Sequence, residues 1–145
     1  MKKVSIFVFT FMLFCVTAFA QSPIGKWQTI DDVTGKIRST VEVYESGGKL
    51  YGIVRSLHNR TADEAVDPVC EVCSGSRKGK KVIGMIILSG LTKSGNEWSG
   101  GKILDPKNGK EYDCYISMEN ADKLKVRGYM GFSMLGRTQY WNRAK

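Results

Sequence analysis

Apolar residues along this chain fall in short runs rather than in long helical stripes. Beyond residue 20, no segment keeps the three-to-four-residue spacing of an amphipathic helix over several turns. Alternating or β-branched runs recur instead, each followed by a cluster of turn-forming residues. The pattern predicts strands over 25–30, 37–45, 50–57, 81–88, 97–104, 111–118, 123–129 and 137–143. Short turns join most of them, so the fold class is all-β: a small antiparallel up-and-down barrel of about eight strands with one long loop, His58 to Lys80. Such a barrel either fills its interior with side chains or holds one small ligand.

Pattern and turn chemistry also predict registers. Gly47-Gly48 makes a two-residue hairpin turn, which sets Val43 opposite Gly52 and Val41 opposite Val54. Tyr112, Cys114, Ile116 and Met118 share one face of their strand. Matching inner faces places Ile116 opposite Leu124 and Cys114 opposite Val126, and predicts an outer-face ion pair between Asp113 and Arg127. Trp98 and Ile103 share the inner face only if a bulge sits at Gly100-Gly101. The run 81–88 is apolar on both faces, with a short buried helix as the alternative to a strand, so the long loop or a short helix within it is expected to cover its outer side.

The first residues do not fit this pattern. Lys2 and Lys3 precede an apolar run from Val4 to Val16, and Ala18-Phe19-Ala20 is a small-x-small cleavage site. Residues 1–20 are therefore expected to be a signal peptide and 21–145 a single exported domain, periplasmic or secreted and not membrane-spanning after cleavage. Cys15 raises a lipoprotein alternative, but Phe14 before it and the apolar residues after it argue against lipidation. Loss of Lys2 and Lys3 lowers the formal net charge from +8 by two. Nucleic acid is not an expected partner of an exported chain. Arg77, Lys78, Lys80 and Lys81 form the one basic cluster, suited to an anionic surface or simply to solvation of a loop.

Candidate chemistry is sparse. Cys70, Cys73 and Cys114 remain in the mature chain, and an oxidising compartment favours one disulfide and one leftover thiol. The bridge joins Cys70 to Cys73, or ties either to Cys114. Cys70-x-x-Cys73 has redox spacing but lies in a loop between strands, not at a helix start. His58, Asp67 and the cysteines are possible metal donors, yet only two of them have ligand spacing, so neither metal nor cofactor is expected. No Gly-x-Ser-x-Gly accompanies His58, and no carboxylate pair marks a hydrolase. The reading is a non-enzymatic protein binding a small apolar or amphipathic ligand. Trp98, Tyr112, Phe132 and Tyr140 are the expected lining, and Gly52, Gly84, Gly100, Gly101 and Gly128 are expected to free interior volume. The rival readings are a structural or interaction module of the cell envelope with a filled core, using the basic loop and the Phe132–Leu135 corner, and a thiol-redox or metal protein centred on Cys70 and Cys73.

Three stretches resemble an exported bacterial family, domain of unknown function 2147. They are Pro23-Ile24-Gly25-Lys26-Trp27 with Asp32 and Gly35; Val82-Ile83-Gly84-Met85 with Leu88-Ser89-Gly90-Leu91; and Leu124 to Tyr129 with Gly131-Phe132 and Gly136 to Trp141. The family often has Trp where this chain has Ser89. The resemblance implies fold and export but no activity. Gly25-Lys26-Trp27 also resembles the opening of lipocalin-like barrels, in which a late arginine packs over the tryptophan. That resemblance implies that Arg143 or Arg137 closes one end of the barrel on Trp27.

Overall fold

The computed structural model describes residues 20–132 and 135–145. The expected leader lies outside the described residues except for Ala20, as do positions 133 and 134 of the corner. Eight strands follow in order: β1 (Gly25–Ile30), β2 (Ile37–Ser46), β3 (Lys49–Leu57), β4 (Ile86–Ser94), β5 (Glu97–Asp105), β6 (Lys110–Asn120), β7 (Lys123–Tyr129) and β8 (Gly136–Arg143). Each pairs antiparallel with its neighbours in the chain, and β8 returns to β1, closing the barrel. Closure removes the exposed edges of an open sheet.

Tight turns set the frame. At the β2–β3 turn both glycines take positive φ, 57° and 76°, and Val43 faces Gly52 while Val41 faces Val54, as the turn requires. The β5 bulge lies between Trp98 and Gly101, with Gly100 at φ 76°. It brings Trp98 opposite Ile116 and Ile103 opposite Tyr112, on the one inner face.

Three expectations are corrected. The fourth strand is β4 at Ile86–Ser94, not 81–88. Lys81 bridges Val69 within the long loop, and Val82 donates its N–H to the Pro68 carbonyl, so the start of that apolar run belongs to the loop. The outer side of β4 is also less covered than expected, since Ile86 remains 38% exposed. The β6–β7 register is displaced by two residues: Ile116 faces Val126, Cys114 faces Gly128 and Tyr115 faces Arg127. A two-residue slip keeps every side chain on its face, so alternation alone could not detect it. Asp113 consequently faces Tyr129 and pairs with Lys102 of β5, which raises the Lys102 pKa through that hydrogen bond and charge. Arg127 donates from Nη1 to Thr138 Oγ1 at 2.8 Å.

One end of the barrel is shut. Trp27 is fully buried, and its Nε1 donates to the Pro23 carbonyl at 2.7 Å. The Arg143 guanidinium covers the indole, and the same group donates to the carbonyls of Ala121, Ile24 and Ser22. A side chain at Gly25 would come within 2.8 Å of Arg143 Nη1, so the glycine makes room for the plug. Val41, Val43, Leu50, Leu88, Leu91, Cys114, Ile116 and Leu124 fill this half. Gly52 and Gly101 serve close packing here rather than a cavity. A Cβ at Gly52 would lie 2.9 Å from Leu88 Cβ, and one at Gly101 would collide with the Ser89 carbonyl. Gly84 and Gly100 take positive φ and have open space where a Cβ would point, so they answer backbone conformation rather than interior volume.

Candidate functional site

The other half is open. A cavity of about 780 Å³ runs from the middle of the barrel to the mouth framed by the β1–β2, β3–β4, β5–β6 and β7–β8 connections. Val54, Ile87, Leu104, Val126 and Trp141 are buried apolar residues of its wall. Gly128 is the glycine of the expected set that borders it: a Cβ there would sit 3.3 Å from Ile103 and 3.6 Å from Tyr112. The size falls within the roughly 300 to 1,000 Å³ usual for small-molecule sites.

The polar groups of the wall are largely tied up. Thr29 and Ser39 share a buried hydroxyl–hydroxyl hydrogen bond of 2.7 Å. Trp141 Nε1 donates to Gln139 Oε1 at 3.2 Å, and Gln139 Nε2 donates to Asp32 Oδ2 at 3.1 Å. Arg137 pairs with that same carboxylate at 3.2 Å. A polar chain thus links the floor to the rim, and Arg137 lies at the mouth rather than on Trp27. Asp31 is held below the ordinary carboxylate range, chiefly by the Thr34 backbone N–H. Arg38 and Arg60 both border the cavity and both lie beside Glu64, at 2.9 and 3.6 Å. The Glu64 pKa is lowered first by the Thr61 backbone N–H and then by Arg38.

The long loop forms part of the mouth. Cys70 donates its N–H to the Lys80 carbonyl, and Gly79 donates back to the Cys70 carbonyl, so 68–82 runs as a small hairpin containing the 3-10 turn Gly75–Arg77. The disulfide joins Cys70 to Cys73, both buried. This hairpin leans on the β5–β6 turn: Arg77 pairs with Glu111, and a side chain at Gly109 would collide with the Val72 carbonyl. Pro68, Val69 and Val82 thereby reach the cavity.

The sequence-derived lining is not gathered in one place. Tyr112 borders the cavity. Trp98 packs against the filled half, where Lys93 lies 5.6 Å from its ring. Phe132 is 74% exposed on the corner loop, and Tyr140 is half exposed on the barrel's outer face. Arg38, Ile87, Leu104 and Gln139 line the cavity without a sequence signal for it, because strand alternation gives at most the face of a residue and not its height along the barrel, and Arg60 lies in the long loop, outside any alternation. Cys114 is fully buried and free, and desolvation pushes its thiol pKa up to about 12. His58 lies on Thr40 and Ser56, with Nε2 2.8 and 3.1 Å from their hydroxyls. Lys81 pairs with Asp67, whereas Lys80 and Lys81 border a shallow outer groove with Ile83 and Ile86. Lys78 follows the 3-10 turn. Among the described residues no three His, Cys, Asp or Glu gather as a metal site, and no helix is long and apolar enough to cross a membrane.

Comparison with known proteins fits this geometry. A solved structure described as protein HP1028 from the human pathogen Helicobacter pylori, belonging to the lipocalin family, is 23% identical, with a TM-score of 0.71 over 84% of this chain and 82% of that one. At that identity the likeness is one of fold: a lipocalin-like barrel. No curated protein matches. The model of a family described as uncharacterised proteins conserved in bacteria, DUF2147, matches residues 25–143. The match spans all eight strands, and the chain belongs to that family.

Proposed function

We propose that this protein is an exported, non-enzymatic carrier or sensor that takes a small apolar or amphipathic ligand into the open half of its barrel. The observation that carries the reading is the division of the interior. Side chains pack one half solid behind the Trp27–Arg143 plug, while about 780 Å³ stays open at the other end behind an apolar wall. A barrel needing only a core would be expected to fill that volume, since empty apolar space sacrifices contacts. Export rests on the leader pattern of residues 1–20.

The test is native mass spectrometry of protein purified from its own compartment, together with displacement of a fluorescent apolar probe from the purified barrel. A retained small molecule, or saturable one-to-one probe uptake that a bulky residue at Leu104 blocks, supports the reading. Absence of both, or probe uptake unaffected by Leu104→Trp in a folded variant, overturns it.

The buried Cys70–Cys73 bridge favours a structural role for that motif, because both sulfurs sit within the packed hairpin rather than facing a partner thiol. A surface role for Arg77, Lys78, Lys80 and Lys81 has one observation in its favour, the shallow groove that Lys80 and Lys81 share with exposed Ile83 and Ile86. Retention of the protein on anionic but not neutral vesicles would support that second reading.

A further inference from the structure

The rim of the cavity is not chemically even. Asp31 spends Oδ1 on its own turn, accepting from the N–H groups of Val33 and Thr34 and from the Thr34 hydroxyl. Asp105 Oδ1 likewise accepts from the Lys107 N–H. Asp32 accepts from Gln139 and pairs with Arg137. On the β2 and long-loop side, two guanidiniums, Arg38 and Arg60, share the single carboxylate of Glu64. Glu64 Oε1 takes Arg38 at 2.9 Å, while Oε2 accepts the Thr61 N–H at 2.8 Å and stands 3.6 Å from Arg60 Nε, too far for a hydrogen bond. Arg60 Nη2 donates to the Ala65 carbonyl, but Arg60 Nε is buried with no hydrogen-bond partner among the described residues. Arg60 lines the cavity, and its Nε is held only by this loose ion pair, which a better-placed anionic acceptor entering the mouth can replace.

We propose that Arg60, with Arg38 beside it, is the head-group site for a single-chain amphiphile bearing a carboxylate or phosphate, whose tail occupies the apolar interior. This rests on the ligand-binding reading above and adds polarity and orientation to it: tail toward Trp141, anionic head at the β2 and long-loop side of the mouth. Glu64 keeps Arg38 as its partner when Arg60 turns to the ligand, so no carboxylate is stranded. A guanidinium presents a planar set of donors suited to either anion.

The test is competition of dodecanoate, dodecyl phosphate and dodecanol against a fluorescent apolar probe, on wild type and on Arg60→Met, with melting temperature as the check on folding. Wild type is expected to bind at least one of the anions about tenfold tighter than dodecanol. Arg60→Met should bring that ratio close to one while leaving dodecanol affinity unchanged. The anion that shows the larger preference identifies carboxylate or phosphate as the head. Equal wild-type affinity for all three overturns the head-group site while leaving the cavity reading intact, as does an Arg60→Met protein that keeps the preference. If none of the three competes and the probe itself does not bind, the cavity reading falls and takes this one with it. Should Arg60→Met not fold, the wild-type ratio and its loss in Arg60→Gln decide the matter.

Discussion

The Arg143 guanidinium lies 4.2 Å from the ring centroid of Trp27, stacked on an indole that no solvent reaches. Residues more than a hundred positions apart in sequence thus meet at the point where β8 closes on β1. The same guanidinium ties down three carbonyls, two of them in the segment leading into β1 and one in the β6–β7 turn. Arg143→Ala is expected to cost about 2 to 4 kcal/mol, from the stacked cation together with its charged hydrogen bonds. Arg143→Lys should recover less than half of that, because a point charge cannot make the planar fork. Urea denaturation of the three proteins, compared by midpoint at constant slope, checks both expectations.

The disulfide is expected to matter locally. A bridge between Cys70 and Cys73 closes a loop of only four residues, so the chain-entropy contribution is about 2 kcal/mol, well below that of a long-range link to Cys114. The double variant Cys70→Ala, Cys73→Ala should retain the barrel, seen as an unchanged far-ultraviolet spectrum. Amide exchange should quicken in 68–82, whose hydrogen bonds at Cys70, Gly79 and Val82 the bridge supports. Exchange rising equally in β1 and β8 would show that the bridge instead holds the whole barrel.

Cys114 offers a prediction in pH. Its thiol pKa moves from an ordinary 9.0 to about 12 on folding, by burial alone. Between those values the unfolded chain has lost the proton that the folded one keeps, so the unfolded state binds fewer protons and stability falls as pH rises. Below pH 9 this group contributes no slope; above it, stability should fall by up to about 1.4 kcal/mol per pH unit. Lysines and tyrosines also titrate in that range, so the measurement is the difference between wild type and Cys114→Ala in urea midpoint at pH 7, 9 and 10. The native thiol should also resist alkylation at pH 8 and react once unfolded. Parallel pH dependence in the two proteins would remove the effect.

Closure of this barrel was readable from a few residues. Strand runs, the Gly47-Gly48 turn and the bulge at Gly100 each have a local chemical signature, and the resemblance of Gly25-Lys26-Trp27 to lipocalin-like openings pointed to a shut end without deciding between Arg143 and Arg137. What depends on distance along the barrel axis was not readable. Trp98 and Tyr112 look equivalent by alternation, yet Trp98 packs with the filled half and Tyr112 borders the open one. The β6–β7 register slipped by two for the same reason, since both registers place the same residues inward. Arg60 carried no signal at all: its position depends on a loop start held to β2, where the His58 N–H donates to the Arg38 carbonyl and Asn59 Nδ2 to the Ile37 carbonyl, not on a repeating pattern.

That separation of heights makes the three tryptophans independent reporters. Trp141 is buried at the cavity wall, with Nε1 donating to Gln139. Trp27 lies beneath Arg143 at the shut end, and Trp98 sits beside Lys93 against the filled half. A ligand seated in the open half contacts Trp141 and neither of the others. Uptake of an apolar ligand should therefore shift or quench the emission of wild type, of Trp27→Phe and of Trp98→Phe alike, while Trp141→Phe loses the response. Loss of response alone does not distinguish a silent reporter from a lost site, so binding to Trp141→Phe is followed by calorimetry as well. Affinity should remain within about tenfold of wild type, because phenylalanine preserves most of the apolar wall and forfeits one hydrogen bond. An emission change that survives in Trp141→Phe and disappears in Trp98→Phe would place the ligand on the other half of the molecule and exclude the open interior as its seat.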